Sequence, residues 1–330
     1  QPDAEIVRKI DILFVTDTSG SLYQERPSIV DGLDSFTSQL PTSIDYNAAV
    51  MLAHGSKSSW SGRLWQRKGE PKVLKSKEMS IDAMRAGLRY KMEAIASDQY
   101  SDGGEEGLYS LARAFDGDRL AEMRAAGFLR DDAALAVVFI ADENDICAIY
   151  PAGVTRVFDP DNIELPAFGR DCAGITPESV LEKIKAYQNT RPLLISGIVY
   201  NHQSQFEPDG ENEVAYGYLE LIGLNKGLAI DMAGGRFNEG LSQIGQLATR
   251  RLHLVTEYIL SQMNIDPTTL RVFVDRAPVT YEYEAALNQV HLNSYAGVEH
   301  SEVLINYCTI SGGGEVDDPI VITNQDDSNF

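Results

Sequence analysis

Apolar residues are distributed along the chain in two alternating patterns. The first consists of short, nearly continuous apolar runs, which are typical of strands buried on both faces. These runs lie at 10–15, 45–53, 133–141, 193–200 and 227–233. The second has apolar residues at helical spacing, at 23–40, 79–96, 177–189 and 238–251, with a shorter helix ending at 115. Because strands alternate with helices, the pattern predicts an α/β fold with a mostly parallel sheet and right-handed crossovers.

The pattern changes after about residue 252. Five runs of strand length follow, separated by turn signals and without an intervening helical segment, at 254–260, 270–275, 279–284, 289–293 and 302–307. They predict a small all-β module over 252–310, called here the C-terminal β module. We expect its core to contain Val272, Val274, Tyr281, Val290, Val303 and Ile305. Residues 311–330 combine three consecutive glycines with a run of acids, which is typical of a linker and an acidic tail.

The larger domain, predicted over 1–251, contains an irregular stretch at 146–178 that is rich in Pro, Gly and Asp. Loops of this length without regular structure are usually functional or disordered. We expect this stretch, called here the insertion, to lie above one end of the sheet. Cys147 and Cys172 both fall within it and could form a disulfide, which would leave Cys308 over.

Charge and hydropathy restrict the function. The net charge of −21 argues against binding nucleic acid through its phosphates, and it is compatible with a secreted protein or with cation sites. No apolar run approaches the ~20 residues that a transmembrane helix needs. The cysteines lack zinc-site spacing.

The strongest candidate for chemistry follows the first apolar run. Asp17, Ser19 and Ser21 alternate in a tight turn, with Gly20 relaxing the backbone between the serines. Three oxygen ligands at the carboxyl end of a central strand suit a hard divalent cation, and open α/β sheets bind ligands at that end. The alternative is a plain strand-to-helix turn in which Ser19 or Ser21 caps the next helix.

Two further segments with acidic residues should meet this turn. Glu105 and Glu106 stand in a glycine-rich turn that opens a helix, and Asp142 follows the most apolar run of the chain. The carboxyl ends of parallel strands meet at one edge of a sheet. The sequence therefore predicts that all three groups converge, although the glutamates could also simply favour the helix N-terminus that they precede.

Together, the apolar strand with D-x-S-x-S, the glycine-flanked turn and the later aspartate resemble a von Willebrand factor A domain over about residues 9–251. Members of this family carry a metal-ion-dependent adhesion site. The resemblance implies a doubly wound, Rossmann-like sheet with a divalent cation, Mg²⁺ first and Mn²⁺ or Ca²⁺ as alternatives. It implies the metal ligands Asp17, Ser19, Ser21 and Asp142.

One position departs from the family pattern. A threonine usually supplies the middle ligand, and Glu105 or Glu106 stands in its place here. A glutamate there either coordinates the metal directly or lies behind a water. Direct coordination would add a third negative charge beside Asp17 and Asp142, which would tighten metal binding and weaken the attraction of an anionic partner group.

Asp142-Glu-Asn-Asp145 follows the apolar run 133–141. This end and the C-terminal β module also resemble bacterial adhesins of predatory and gliding bacteria. This resemblance implies an extracytoplasmic module, secreted or on the cell surface. It also implies that a partner protein or surface glycan completes the metal shell with one of its own oxygens.

Other classes of function fit less well. A Mg²⁺-dependent phosphohydrolase would need a general acid two residues after Asp17, where Ser19 stands, and no lysine is near Asp142. None of the five histidines follows the site motifs, which argues against a Ser-His-Asp hydrolase. A structural von Willebrand factor A domain that has lost its metal is a third possibility, and the complete D-x-S-x-S argues against it.

Overall fold

A computed structural model describes residues 9–23, 25–40, 44–95, 104–156, 164–189, 191–201, 213–251, 257–292, 301–310 and 320–323. The chain divides into two compact units. The first comprises Gln1–Tyr187 and Leu193–Thr249, and the second comprises Gln188–Pro192 and Arg250–Phe330. No helix within the described ranges is long and apolar enough to cross a membrane.

The first unit contains a six-stranded sheet with the order β3-β2-β1-β4-β5-β6. The strands are β1 (Lys9–Thr16), β2 (Asp45–Leu52), β3 (Leu74–Lys75), β4 (Ala133–Ala141), β5 (Leu193–Val199) and β6 (Ala229–Asp231). All neighbouring pairs are parallel except β2 with β3. The predicted α/β fold with a mostly parallel sheet is confirmed.

Helices lie between successive strands of this sheet along the chain, except between β2 and β3, and α8 follows β6. They are α1 (Arg26–Ser38), α2 (Ile81–Ile95), α3 (Gly107–Ala114), α4 (Gly117–Ala125), α5 (Glu164–Asp171), α6 (Pro177–Gln188), α7 (Tyr218–Leu224) and α8 (Phe237–Arg251). Short 3₁₀ turns occur at Ser21–Tyr23 and Met232–Gly234. Pro27 supports the start of α1, since its fixed φ suits a first helical turn.

The register of the central strands decides where the candidate site lies. Thr16, the last residue of β1, is aligned with Leu52 of β2 and with Ile140 of β4. Every residue of β4 is buried, as its unbroken apolar sequence requires. The chain therefore leaves β1, β2 and β4 at one level of the same sheet edge.

The insertion differs from the prediction in one respect. It is not irregular throughout, because α5 lies within it. The disulfide between Cys147 and Cys172 is present and closes the stretch that contains this helix.

Two other helices, α4 and α7, were not expected from the apolar pattern, and the strand expected at 227–233 is limited to β6 with a 3₁₀ turn after it.

The second unit contains two antiparallel sheets. Their strands are β7 (Glu257–Ile259), β8 (Arg271–Val274), β9 (Ala277–Pro278), β10 (Tyr281–Glu284), β11 (Gln289–Leu292), β12 (Glu302–Asn306) and β13 (Ile320–Thr323). One sheet has the order β10-β11-β7 and the other has the order β13-β12-β8-β9. A small C-terminal all-β structure is thus confirmed.

The core of this unit is formed largely by the expected residues. Val272, Val274, Val290, Val303 and Ile305 are buried in one apolar cluster, and Tyr281 packs against it. Within 311–330, interpreted from the sequence as a linker and tail, the structure describes 320–323, where β13 pairs with β12. All four residues of Ile320–Thr323 are β-branched, which favours a strand and explains why this piece joins the sheet.

Candidate metal centre

Asp17 begins the turn that leaves β1. Its backbone N–H donates to the carbonyl of Ile140 on β4, at 2.8 Å, which fixes the turn at the sheet edge. Its Oδ1 accepts a hydrogen bond from the backbone N–H of Ser19, at 2.5 Å. The side chain is buried, and its Oδ2 has no hydrogen-bond partner. One carboxylate oxygen therefore orders the turn while the other is left available.

The two serine hydroxyls of the turn lie side by side. Their oxygens are 2.8 Å apart. The hydroxyl of Ser21 also donates to Oε1 of Glu143, at 3.1 Å. The neighbouring hydroxyls of Ser19 and Ser21 can share one small cation, because a hydroxyl can offer its lone pairs when it does not use them in a hydrogen bond.

Gly104 lets the turn that carries Glu105 and Glu106, called here the acidic turn, come close to the turn of Asp17 and the two serines. The backbone N–H of Thr18 donates to its carbonyl, at 3.3 Å. Its φ is +93°, and a Cβ at this position would lie 2.5 Å from Oγ1 of Thr18 and 3.0 Å from the backbone nitrogen of Ser19. Only glycine combines this conformation with this approach.

The side chains of Glu105 and Glu106 have different neighbours. Glu105 is buried, its Oε2 has no hydrogen-bond partner, and it faces the negative charges of Glu143 and Asp17. Glu106 lies against Gly55, and its Oε1 accepts from Nη2 of Arg170, at 3.5 Å. Of the two candidates from the sequence, Glu105 is thus the one that the structure brings towards Asp17.

Asp142 emerges from β4 as the register requires. It is fully buried, and neither of its carboxylate oxygens has a hydrogen-bond partner. Its backbone carbonyl accepts from the N–H of Glu213, at 3.1 Å, which holds the strand end in place. Buried side-chain oxygens are normally hydrogen-bonded, so an exception of this kind points to a missing ligand.

Glu143 is a site residue that the sequence analysis missed. It is buried, its Oε1 accepts a hydrogen bond from the Ser21 hydroxyl, and it faces the charges of Asp17 and Asp142. We call Asp17, Glu105, Asp142 and Glu143 the acidic cluster. The only sign of Glu143 in the sequence is its position directly after Asp142. Adjacency does not reveal which way a side chain points after a strand ends.

Burial keeps the acidic cluster from ionising fully. It raises the pKa of Asp17 to about 6. Burial, together with the charges of Asp17 and Asp142, raises the pKa of Glu143 to about 9. The pKa values of Glu105 and Asp142 are well above the usual range, first because both are buried and then because they face other carboxylates. Such a cluster needs either protons or a cation.

The donor set is made entirely of oxygens, which suits Mg²⁺, Mn²⁺ or Ca²⁺. Within the described residues, no three His, Cys, Asp or Glu side chains form a ready-made metal cage. The set that does come together combines the Asp17 carboxylate with two hydroxyls, and Asp142 and Glu105 carry unpartnered oxygens beside it. These residues fit a divalent ion held partly by hydroxyls.

Arg26, the first residue of α1, is buried beside the cluster. Its Nη2 donates to the backbone carbonyl of Asp17, at 3.4 Å. Its Nε and Nη1 are buried and have no hydrogen-bond partner. Burial lowers its pKa, and the nearby charges of Asp17 and Asp142 oppose that effect. The sequence analysis did not single out this residue.

The insertion is tied to the acidic turn. The backbone N–H of Ile146 donates to the carbonyl of Glu105, at 3.0 Å. Arg156 donates to the carbonyl of Ile146 and pairs with Glu164 on α5, each at 3.1 Å. Among the described residues of the insertion, 146–156 and 164–178, the exposed large apolar side chains are Ile149, Val154, Leu165 and Phe168. Leu165 and Phe168 are three residues apart on α5 and so share its outer face.

No protein-family model and no curated protein sequence matches the chain. Among solved structures, the chain is similar to a von Willebrand factor type A protein from Catenulispora acidiphila, with 11% identity and a TM-score of 0.39 over 97% of this chain and 66% of that one. It is similar to the human COPII-coat protein Sec24c, with 8% identity and a TM-score of 0.40 over 94% and 43% of the two chains.

The chain is also similar to the pilus adhesin SpaC from Lactobacillus rhamnosus GG, with 12% identity and a TM-score of 0.36 over 97% of this chain and 44% of that one. This chain thus spans between 43% and 66% of the length of these three structures. At such identities and TM-scores the likenesses carry no argument about function. The fold class follows from the strand order and register described above.

Proposed function

We propose that the chain is a metal-ion-dependent adhesion module, in which Asp17, Ser19 and Ser21 hold a divalent cation and a partner supplies a further oxygen ligand. One observation carries this proposal. Asp17, Asp142 and Glu105 each have a buried carboxylate oxygen without a hydrogen-bond partner, and the hydroxyls of Ser19 and Ser21 lie in the turn that begins with Asp17. Burying carboxylates is costly unless they are paired or coordinate a metal. A cation would supply the missing partner.

The residues would have distinct tasks at this site. Asp17 brings a charge and orders the turn through Ser19, while the serine hydroxyls add neutral oxygens. Asp142 and Glu105 add negative charge from the other two turns. A bound Mg²⁺, or Mn²⁺ or Ca²⁺ in its place, would offer a coordination position to an oxygen of the partner, such as a carboxylate.

The surface around the site supports a protein as the partner more than a glycan. The insertion exposes Ile149, Val154, Leu165 and Phe168, and its backbone is bonded to the acidic turn. Exposed apolar patches commonly mark protein-protein interaction sites. The disulfide of the insertion supports an extracytoplasmic location, since such bonds persist in oxidising compartments.

A hydrolase is the weaker alternative. Ser19 stands where a phosphohydrolase of this sheet type would need its general acid, and its hydroxyl is hydrogen-bonded to that of Ser21. We therefore propose a binding role and no enzymatic role for this site.

Isothermal titration calorimetry with Mg²⁺ and Mn²⁺ tests the metal site. The wild-type protein should bind one ion at the site, and Asp17→Ala should abolish that binding while the protein stays folded. Asp116→Ala is a suitable control, because Asp116 is a surface acid paired with Arg113 and Lys183. An unchanged affinity in Asp17→Ala, or no binding by the wild-type protein, would contradict the proposal.

A displayed library of random peptides tests the adhesion role. Selection in the presence of Mg²⁺ should enrich peptides that contain Asp or Glu next to apolar residues. These peptides should be released by a chelator and should not bind Asp17→Ala. Enrichment that is equal with and without metal would show that the site takes no part in binding.

A further inference from the structure

Arg26 occupies a position that the fold alone does not explain. A cation at the N-terminus of a helix is disfavoured by the helix dipole, and Arg26 is the first residue of α1. It is also buried, with only 5% of its surface exposed, and arginine is rarely buried unless it is paired. Something near Arg26 must compensate for both costs.

The charges that oppose the effect of burial on Arg26 belong to the acidic cluster. Arg26 lies within electrostatic reach of Asp17 and Asp142. Its Nη2 is directed to the backbone carbonyl of Asp17, whereas Nε and Nη1 have no partner. Both oxygens of Asp142 and Oδ2 of Asp17 are likewise buried and unpartnered. The site thus contains N–H donors of the Arg26 guanidinium without partners, and carboxylate oxygens of Asp17 and Asp142 without partners.

We propose that Arg26 is a tethered counter-ion of the metal site, which competes with the divalent cation for the carboxylates of Asp17 and Asp142. This inference rests on the proposed metal site. Without metal, the guanidinium neutralises part of the cluster and stabilises the folded chain. With metal, the two cations repel each other, and Arg26 is held by its hydrogen bond to the carbonyl of Asp17.

The consequence is a metal affinity lower than the acidic cluster alone would give. A positive charge within electrostatic reach of a divalent ion in a buried site weakens binding of that ion by about tenfold or more. Arg26 therefore sets the metal concentration at which the module becomes competent to bind its partner. It also lets the metal-free domain fold without leaving the buried carboxylates uncompensated.

Arg26→Gln tests this inference, because glutamine can still donate to the carbonyl of Asp17 but carries no charge. Calorimetry with Mn²⁺ alone should show binding at least about tenfold tighter than for the wild-type protein. By linkage, the metal-free variant should melt roughly a few °C lower, and saturating Mn²⁺ should remove most of that difference. Arg26→Lys keeps the charge and should remain close to the wild-type protein in both measurements.

Arg130→Gln is the matched control. Arg130 is another largely buried arginine paired with an aspartate, Asp11, at 2.9 Å, and it lies at the opposite end of β1. This variant should melt lower by the same amount with and without Mn²⁺, and its metal affinity should be unchanged.

The outcomes separate the two proposals. If the wild-type protein binds no metal, the proposed function fails. If it binds metal and Arg26→Gln binds with the same affinity, or melts lower by the same amount in both states, Arg26 is structural and the inference is overturned. A variant that folds only in metal-containing buffer would support the inference, and one that is unfolded in both buffers would overturn it.

Discussion

The carboxylate of Asp145 accepts a hydrogen bond from the backbone N–H of Leu108, at 2.7 Å, in the first turn of α3. Its other oxygen accepts from the backbone N–H of Cys147, at 2.8 Å. Asp145 therefore joins the helix that follows the acidic turn to the start of the insertion. It is a structural residue next to the proposed metal site, and both of its carboxylate oxygens have hydrogen-bond partners, unlike those of Asp142 three positions earlier.

We expect Asp145→Ala to destabilise the fold by about 2–4 kcal/mol, because two buried N–H groups lose their acceptor. Metal affinity should change little, since both oxygens of Asp145 are already used by the backbone. Urea unfolding and Mn²⁺ calorimetry measure the two effects. Asp145→Asn keeps one acceptor and should lose less stability. Loss of metal binding in a folded Asp145→Ala protein would contradict this assignment.

The different neighbours of the two glutamates lead to a second prediction. Glu105→Thr should lower Mg²⁺ affinity by about tenfold or more, because a carboxylate charge leaves the site. At saturating Mg²⁺, binding of a selected acidic peptide should become tighter, since the metal is less neutralised. Calorimetry measures both affinities.

The matched control for this experiment is Glu106→Thr. It removes the contact with Arg170 and should leave the metal affinity within about twofold. If Glu106→Thr lowered metal affinity and Glu105→Thr did not, the two residues would have been assigned the wrong roles.

A third prediction concerns the pH dependence of stability, at the end of β1 away from the proposed metal site. Burial raises the pKa of Asp11 from 3.8 to about 6, although the charge of Arg130 opposes the shift. Between these values the folded state keeps a proton that the unfolded state has lost. The free energy of unfolding should therefore fall as pH rises from about 4 to about 6, by up to about 3 kcal/mol from this residue.

Urea unfolding of the wild-type protein and of Asp11→Asn across that pH range isolates the effect. The stability of the wild-type protein relative to the variant should decrease with rising pH and then become constant above about pH 6. Parallel stability curves would mean that Asp11 is ionised in the folded protein throughout the range.

The disulfide supplies a fourth prediction. Closing a loop of the length between Cys147 and Cys172 stabilises a protein by roughly 3 kcal/mol in the chain-entropy account. In a Cys308→Ser background, which prevents thiol exchange, replacing both cysteines of the insertion by Ser should lower the melting temperature accordingly. Mass spectrometry of the non-reduced background protein should find no free thiol, and two free thiols would refute the pairing.

The central strands of the large sheet could be predicted because their apolar runs leave little choice. Ala133–Ala141 was assigned with the observed bounds, since nine consecutive apolar residues of strand length suit only a strand buried on both faces. Helix α4 was missed because Met123 is its only residue classed as buried, so its sequence shows almost no apolar periodicity. Helix α7 is shorter than the window in which helical spacing can be recognised.

Only those residues of the candidate site that belong to recognisable sequence motifs could be predicted. The D-x-S-x-S turn and Asp142 follow from strand ends, which the apolar pattern locates. The choice between Glu105 and Glu106 depends on side-chain direction in a turn, which sequence does not encode locally. Arg26 could not be found at all, because an arginine at the start of a helix gives no sign in the sequence that it will be buried.

The close approach at Gly104 also has an evolutionary consequence. Any other residue there would combine an unfavourable φ with a collision against Thr18. At position 105 the backbone φ is not positive, and the buried side chain faces the charges of Glu143 and Asp17. If Glu105 ligates the proposed metal, changes at position 105 would alter its metal preference, whereas position 104 accepts only glycine. A saturation library selected for metal-dependent binding should tolerate several residues at 105 and almost none at 104.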